Sequence, residues 1–186
     1  MVKGEDFLRT DRRVLVRFSK TGKTFTMFGK KGVPGLIQLL IEEVNRLKPA
    51  EAKTHFSMFQ IYNESVFDLL QRAEEPLQVK EDAEKNACVP GLANFEIFSA
   101  EDAFFLLTKG DKARIVRETE MNAASSRSHT IALLEYSKPD ANISARLVLC
   151  DLAGSERMHD LINPKDKRFT EMKYINLSLT ALGKTS

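Results

Sequence analysis

The chain of 186 residues has no tryptophan, two cysteines and three histidines, and its formal charge is only +2. Each scarcity narrows the field. Cys88 and Cys150 are too few for a disulfide framework or a cysteine-rich zinc module. Cys150 also sits in an apolar run, where a thiol behaves as a small hydrophobe. A charge of +2 is too small to point to nucleic acid, so an electrostatic partner must meet a local patch. No apolar run approaches membrane-spanning length, and the polar stretch Met1 to Arg13 has no signal-peptide core. The expectation is a soluble intracellular protein with neither nucleic acid nor membrane as a partner. Internal repeats and low-complexity segments are absent too, which sets repeat architectures aside. What is present is a 42% apolar chain, enough for the core of one ordinary domain.

Periodicity organises that apolar content. Leu36, Ile37, Leu40, Ile41, Val44 and Leu47 fall on one helical face, with Gln38, Glu42, Glu43 and Arg46 opposite, so a helix is predicted from Val33 to Leu47. Gly29 to Gly32 interrupts the path into it. Phe56 to Tyr62 reads as a strand ending in a turn at Asn63-Glu64, followed by the short apolar segment Val66 to Leu70. Leu77 to Glu81 and Phe95 to Phe98 read as further short strands. Ser99, with Asp102 three residues on, opens a helix that runs to Arg117 despite Gly110. Strands are expected from Thr130 to Tyr136 and from Arg146 to Cys150 around a turn at Pro139 to Asn142, and a last helix from Tyr174. Alternating helices and strands predict an α/β architecture with a largely parallel central sheet.

Three strings carry chemistry: Thr21-Gly22-Lys23-Thr24, Asn122-Ala-Ala-Ser-Ser-Arg-Ser-His129 and Asp151-Leu-Ala-Gly-Ser-Glu156. A phosphoryl-transfer site needs a phosphate cradle, a loop that senses the γ-phosphate and an acidic turn near the metal. In a phosphate loop the lysine bridges phosphates and the following hydroxyl binds Mg²⁺, roles that Lys23 and Thr24 match. Taken alone, that string also fits a solvated helix start. Leu147 to Cys150 is an apolar run that delivers Asp151 to a sheet edge, where α/β ligands bind, although a capping aspartate would read the same way. Ser125, Ser126 and Arg127 could form either a polar loop or a γ-phosphate sensor. The three in order favour the nucleotide reading over each bland one.

Through these strings in this order, the chain resembles a kinesin motor domain. Phe59-Gln-Ile-Tyr-Asn-Glu-Ser-Val-Phe-Asp-Leu-Leu70 is similar to that family's strand-and-turn signature, Asn122 to His129 to its switch I, and Asp151 to Glu156 to its switch II. Ile175-Asn-Leu-Ser-Leu-Thr-Ala-Leu-Gly183 resembles the start of its microtubule-facing helix. The resemblance implies a phosphate-loop NTPase-like core, ATP and Mg²⁺ as ligands, a microtubule as partner, and a place on the cytoskeleton. It implies nucleotide contacts from Ser19, Lys20, Thr21, Gly22, Lys23 and Thr24. Thr24 and Ser126 would serve Mg²⁺ directly, and Asp151 through water. Asn122 would help hold the loop around the nucleotide, Ser125 belongs to the string whose hydroxyls would contact Mg²⁺ or the γ-phosphate, Gly154 would sense the γ-phosphate, and Arg127 would pair with Glu156. His129, at the end of its string, is expected to orient that loop rather than act as a base.

The chain also departs from the family's pattern. Arg17 and Lys20 stand where its phosphate loop has glycines, so only the second half of the loop matches. Residues 1–13 form a divergent segment that does not resemble the strands and adenine-contacting stretch the family has before its phosphate loop, which leaves 14–186 as a partial motor domain, roughly half of a whole one. Between Glu156 and Asn176, the cations Arg157, Lys165, Lys167, Arg168 and Lys173 outnumber the acids Asp160, Asp166 and Glu171, a bias that suits an acidic filament or merely a solvated loop. The competing expectation is a kinesin-like microtubule-binding module, catalytically impaired or degenerate.

Overall fold

A computed structural model describes residues 22–30, 32–71, 75–83, 87–120, 127–138, 140, 143–154 and 173–178. A five-stranded sheet is at its centre. Strand β3 (Lys53–Tyr62) pairs with β4 (Ser65–Asp68), β7 (Phe95–Ile97) and β8 (His129–Lys138), and β8 pairs in turn with β9 (Ile143–Asp151). Before them come helix α1 (Lys23–Phe28), the two-residue strands β1 (Gly29–Lys30) and β2 (Val33–Pro34), and helix α2 (Leu36–Leu47). Between β4 and β7 lies a small ribbon of β5 (Lys80–Glu81) with β6 (Ala87–Cys88), and helix α3 (Ala100–Glu120) joins β7 to β8.

The α/β class, with a central sheet flanked by helices, is as expected. The expected parallel pairing is not seen among the described strands, where every pair is antiparallel. The reason lies in the links. Asn63 and Glu64 adopt φ of 51° and 66°, a two-residue turn that returns β4 directly against β3. A link of only 139–142 likewise leaves β9 no room to cross over before pairing with β8. Val14 to Val16, where the sequence offers at most a short strand ahead of the phosphate loop, lies outside the described residues.

Strand alternation gives the sheet two dissimilar faces. One carries Phe56, Met58, Ala132, Leu134 and Leu149, packed with Met27, Ile37, Ile41, Leu106 and Leu107 of the three helices. The other carries Phe59, Ile131 and Cys150 beneath Val66, Leu77, Val89 and Leu92. Fully burying a side chain such as Ile37 or Ile41 contributes roughly 1.5–3 kcal/mol, and both are 1% exposed.

Two glycine arrangements set the helices on this face. Helix α2 begins at Leu36 rather than Val33, because Val33 and Pro34 pair with Gly29 and Lys30 instead. A Cβ on Gly35 would collide with backbone atoms of Met27, Phe28 and Gly29, and one on Gly29 with Val33, Pro34 and Gly35. The two backbones therefore touch only because both residues lack side chains. Within α3, Gly110 lies where a Cβ would strike Met58 Sδ, which explains why the helix carries a residue of poor propensity at its middle. Its start is the expected capping box. Ser99 Oγ accepts from Asp102 N–H at 3.1 Å, and Asp102 Oδ2 accepts from Ser99 N–H at 3.0 Å.

Candidate functional site at the end of β9

Strand β9 ends at Asp151, and α1 begins at Lys23, preceded by Gly22 in a left-handed conformation with φ of 75°. These two places meet. Thr24 Oγ1 donates to Asp151 Oδ2 at 2.6 Å, and Lys23 Nζ donates to the Ala153 carbonyl at 3.0 Å. Asp151 is 8% exposed. Burial pushes its carboxyl above the ordinary carboxylate range. The Thr24 hydroxyl and the cations Arg114 and Lys23 pull the other way, while Asp111 pushes further up. The carboxylate is thus a buried charge only partly compensated by its neighbours. Hydroxyl and carboxylate oxygens are the donors a hard divalent cation takes, so Thr24 and Asp151 fit Mg²⁺.

On the helical face of the same sheet edge lies Gln60, 1% exposed, whose amide donates from Nε2 to Ser128 Oγ at 2.8 Å. On the opposite face His129 makes two bonds. Its Nδ1 accepts from Ala153 N–H at 3.0 Å, and its Nε2 lies 2.9 Å from Ser178 Oγ. Ser178 Oγ donates onward to the Ile175 carbonyl at 2.8 Å, within the helical residues 173–178. Since Nδ1 accepts a backbone proton, Nε2 carries the ring's own and donates it to Ser178. Burial, and then the nearby Lys23 charge, push the His129 pKa down to about 4, so the ring is neutral near pH 7.

The structure thus brings together Lys23, Thr24 and Asp151, with Gly22 before them and Gly154 after. Arg127 borders a small crevice shared with Ile61, His129, Tyr174 and Ser178. Ser19, Lys20, Thr21, Asn122, Ser125, Ser126 and Glu156 lie outside the described residues, and so do the Arg127–Glu156 pairing and most of the basic 157–173 stretch. A cavity of about 580 Å³ between the 28–34 segment and α3 takes in none of the sequence-selected residues.

Sequence reading missed Gln60, which sat unremarked inside a strand motif, and Arg114. Arg114 is 6% exposed, and its guanidinium bonds Asp111 at 2.7 Å and Glu118 at 2.7 Å and lies 5.7 Å from the Phe28 ring centre. Its i−3 and i+4 acids were a legible signal. Asp68 is buried as well, but its carboxylate is consumed by the backbone N–H groups of Leu70, Gln71 and Ala93.

A lysine and hydroxyl at one helix start, delivered to a carboxylate at a strand end, define an α/β protein with its site at a sheet edge. The comparisons with known proteins make the class specific. The kinesin motor domain profile matches residues 18–185. Kinesin-related protein 7 of Dictyostelium discoideum is 35% identical over 96% of this chain and 16% of its own length. The kinesin-like protein KIF18B of Homo sapiens is 38% identical over 87% of this chain and 20% of its own. Among solved structures, a fast kinesin superposes with a TM-score of 0.74 at 26% identity, covering 86% of this chain and 49% of that one. A KIF14 dimer in its two-heads-bound state, with AMP-PNP in complex with a microtubule, superposes at 0.70 and 29% identity, covering 92% and 53%. The chain belongs to the kinesin motor-domain family. It spans about half of these solved motor chains and a fifth or less of the two curated relatives named above.

Proposed function

We propose that this chain is a segment of a microtubule motor that binds MgATP and couples its hydrolysis to microtubule binding. The observation that carries the reading is the Thr24–Asp151 bond of 2.6 Å, with Lys23 beside it on the Ala153 carbonyl. Two candidate metal oxygens and a phosphate-type lysine converge there from opposite ends of the chain.

In this reading Lys23 binds phosphate, and the loop from Ser19 to Gly22 surrounds it. Thr24 and Ser126 hold Mg²⁺, and Asp151 holds its water shell. When bound, the ion neutralises phosphate charge and steadies the charge that develops on transfer. Gly154 offers its backbone N–H towards the γ-phosphate, Ser125 adds a hydroxyl to the same string, Arg127 pairs with Glu156, and Asn122 helps hold the sensing loop around the nucleotide. Catalysis of this kind is mostly positioning, so it depends on how firmly the 151–154 turn is held. The cations between Glu156 and Asn176 favour encounter with an acidic filament, and the molecule's place is the microtubule cytoskeleton.

Arg17 and Lys20, in place of loop glycines, favour a second reading, a kinesin-like module that binds microtubules without turnover. Calorimetry of MgATP on the full chain, with Lys23→Ala as control, and co-sedimentation with microtubules separate the two. Saturable binding lost in Lys23→Ala, with microtubule pelleting, supports the motor reading. A folded chain that pellets but does not bind MgATP supports the second, and a folded chain that does neither overturns both.

A further inference from the structure

Ser128 and His129 are consecutive, and alternation turns them to opposite faces of the sheet. Ser128, 4% exposed, is fixed by Gln60 on the face that carries Thr24 and Asp151. His129, 7% exposed, is fixed on the other face between the Ala153 backbone and Ser178. The bonds form one continuous chain: Lys23 Nζ to the Ala153 carbonyl, Ala153 N–H to His129 Nδ1, His129 Nε2 to Ser178 Oγ, and Ser178 Oγ to the Ile175 carbonyl. Ala153 is 2% exposed and Ile175 6%, and the two pack against each other with Leu152, so the polar chain runs beside an apolar contact.

We propose that His129 is a positioning residue that clamps the 151–154 turn to the helical residues 173–178, so that a change at Lys23 reaches that helix through Ala153. This deepens the proposed function, from which it takes only that MgATP acts at Lys23. The physical requirement is an imidazole with two differently directed ring nitrogens, one accepting and one donating, held in a single tautomer. Ala153 contributes both sides of its peptide environment: its carbonyl faces Lys23 and its N–H faces His129. If Lys23 Nζ leaves that carbonyl for a phosphate oxygen, the turn loses its anchor on one face while His129 still holds it on the other. The helix then either follows the turn or releases the ring. A side chain that only filled the space would leave the helix indifferent to what Lys23 binds.

The test uses the full chain and three variants, His129→Gln, His129→Ala and Ser178→Ala, followed by amide hydrogen exchange with and without MgAMP-PNP. In the unmodified protein the nucleotide changes exchange at 173–178 by tenfold or more. Each variant is expected to bind nucleotide within threefold of the parent yet lose that response, and His129→Gln with Ser178→Ala together should lose no more than either alone. Nitrogen-15 shifts of the His129 ring are expected to show a protonated Nε2 and a bare Nδ1 in the free protein, a signature that packing alone does not set.

A response preserved in the variants, or a ring protonated at Nδ1, overturns the proposal. Should the parent bind no nucleotide, the proposed function fails, and the clamp is judged on the free chain. There, loss of protection confined to 151–154 and 173–178 in the variants supports it, and unchanged protection overturns it. Should His129 variants not fold, Ser178→Ala and the ring tautomer decide.

Discussion

Thr24 and Asp151 are 127 positions apart in the chain, and their side chains meet at 2.6 Å. The bond offsets only part of the penalty that burial places on the charged carboxylate. Thr24→Ala leaves the carboxylate less satisfied, and we expect a loss of about 1–2 kcal/mol in urea unfolding. Thr24→Ser keeps the hydroxyl and should keep most of that stability. Equal losses in the two variants would mean that the methyl group matters rather than the bond.

Lys23 contributes little to folding and much to the proposed ligand. Its bond is a single one from a half-buried ammonium to a carbonyl. Lys23→Ala is expected to lower the unfolding free energy by no more than about 1 kcal/mol. It should weaken MgATP binding at least tenfold, as read by calorimetry on the same preparations.

The pH dependence follows from His129. Its folded pKa of about 4 lies below the ordinary 6.5, so the unfolded chain takes up the proton first as pH falls. The stabilisation from a neutral His129 is therefore complete above pH 6.5 and is lost between 6.5 and 4, amounting to about 3 kcal/mol. Asp151 opposes this, because a carboxyl raised by burial gains protons more readily in the folded state. The comparison of His129→Gln with the parent isolates the histidine: denaturation curves from pH 7 to 4 should converge as pH falls. A constant gap across that range would mean that the ring's burial carries no proton linkage.

Gly110 and Met58 provide a packing prediction. Gly110→Ala gains helix propensity of about 1 kcal/mol but pushes a methyl into Met58 Sδ, which sits at 0% exposure. We expect a net loss of about 1–2 kcal/mol. In a Met58→Ala background the same substitution should become neutral or favourable, a coupling that thermal unfolding can read.

These sites differ in how visible they were beforehand. The capping box at Ser99 and Asp102, the Asn63-Glu64 turn and the amphipathic stripe of α2 are local patterns, and each was legible in a few consecutive residues. The pairing of Lys23 and Thr24 with the β9 end was expected only because three strings were read together, since nothing local links them. Antiparallel pairing across the sheet was not legible, because alternating helices and strands suggest crossovers, whereas short links decide the β3–β4 and β8–β9 pairs and tertiary packing the others. Gln60 and Arg114 looked like ordinary strand and helix residues, and their burial arises from tertiary packing. His129 was expected to orient its own loop, but its partners lie 24 and 49 positions away.

The contact between the Gly29 and Gly35 backbones pins the two ends of the β1–β2 pair at one point. A loop anchored in this way separates its own length from the structure beneath it. Doubling its residues would cost only about 0.6 kcal/mol in closure entropy, provided both glycines remain. The position between α1 and α2 is therefore a natural port for added sequence. An inserted peptide there would extend into solvent while the helices, and the Thr24 side chain that α1 carries, kept their places.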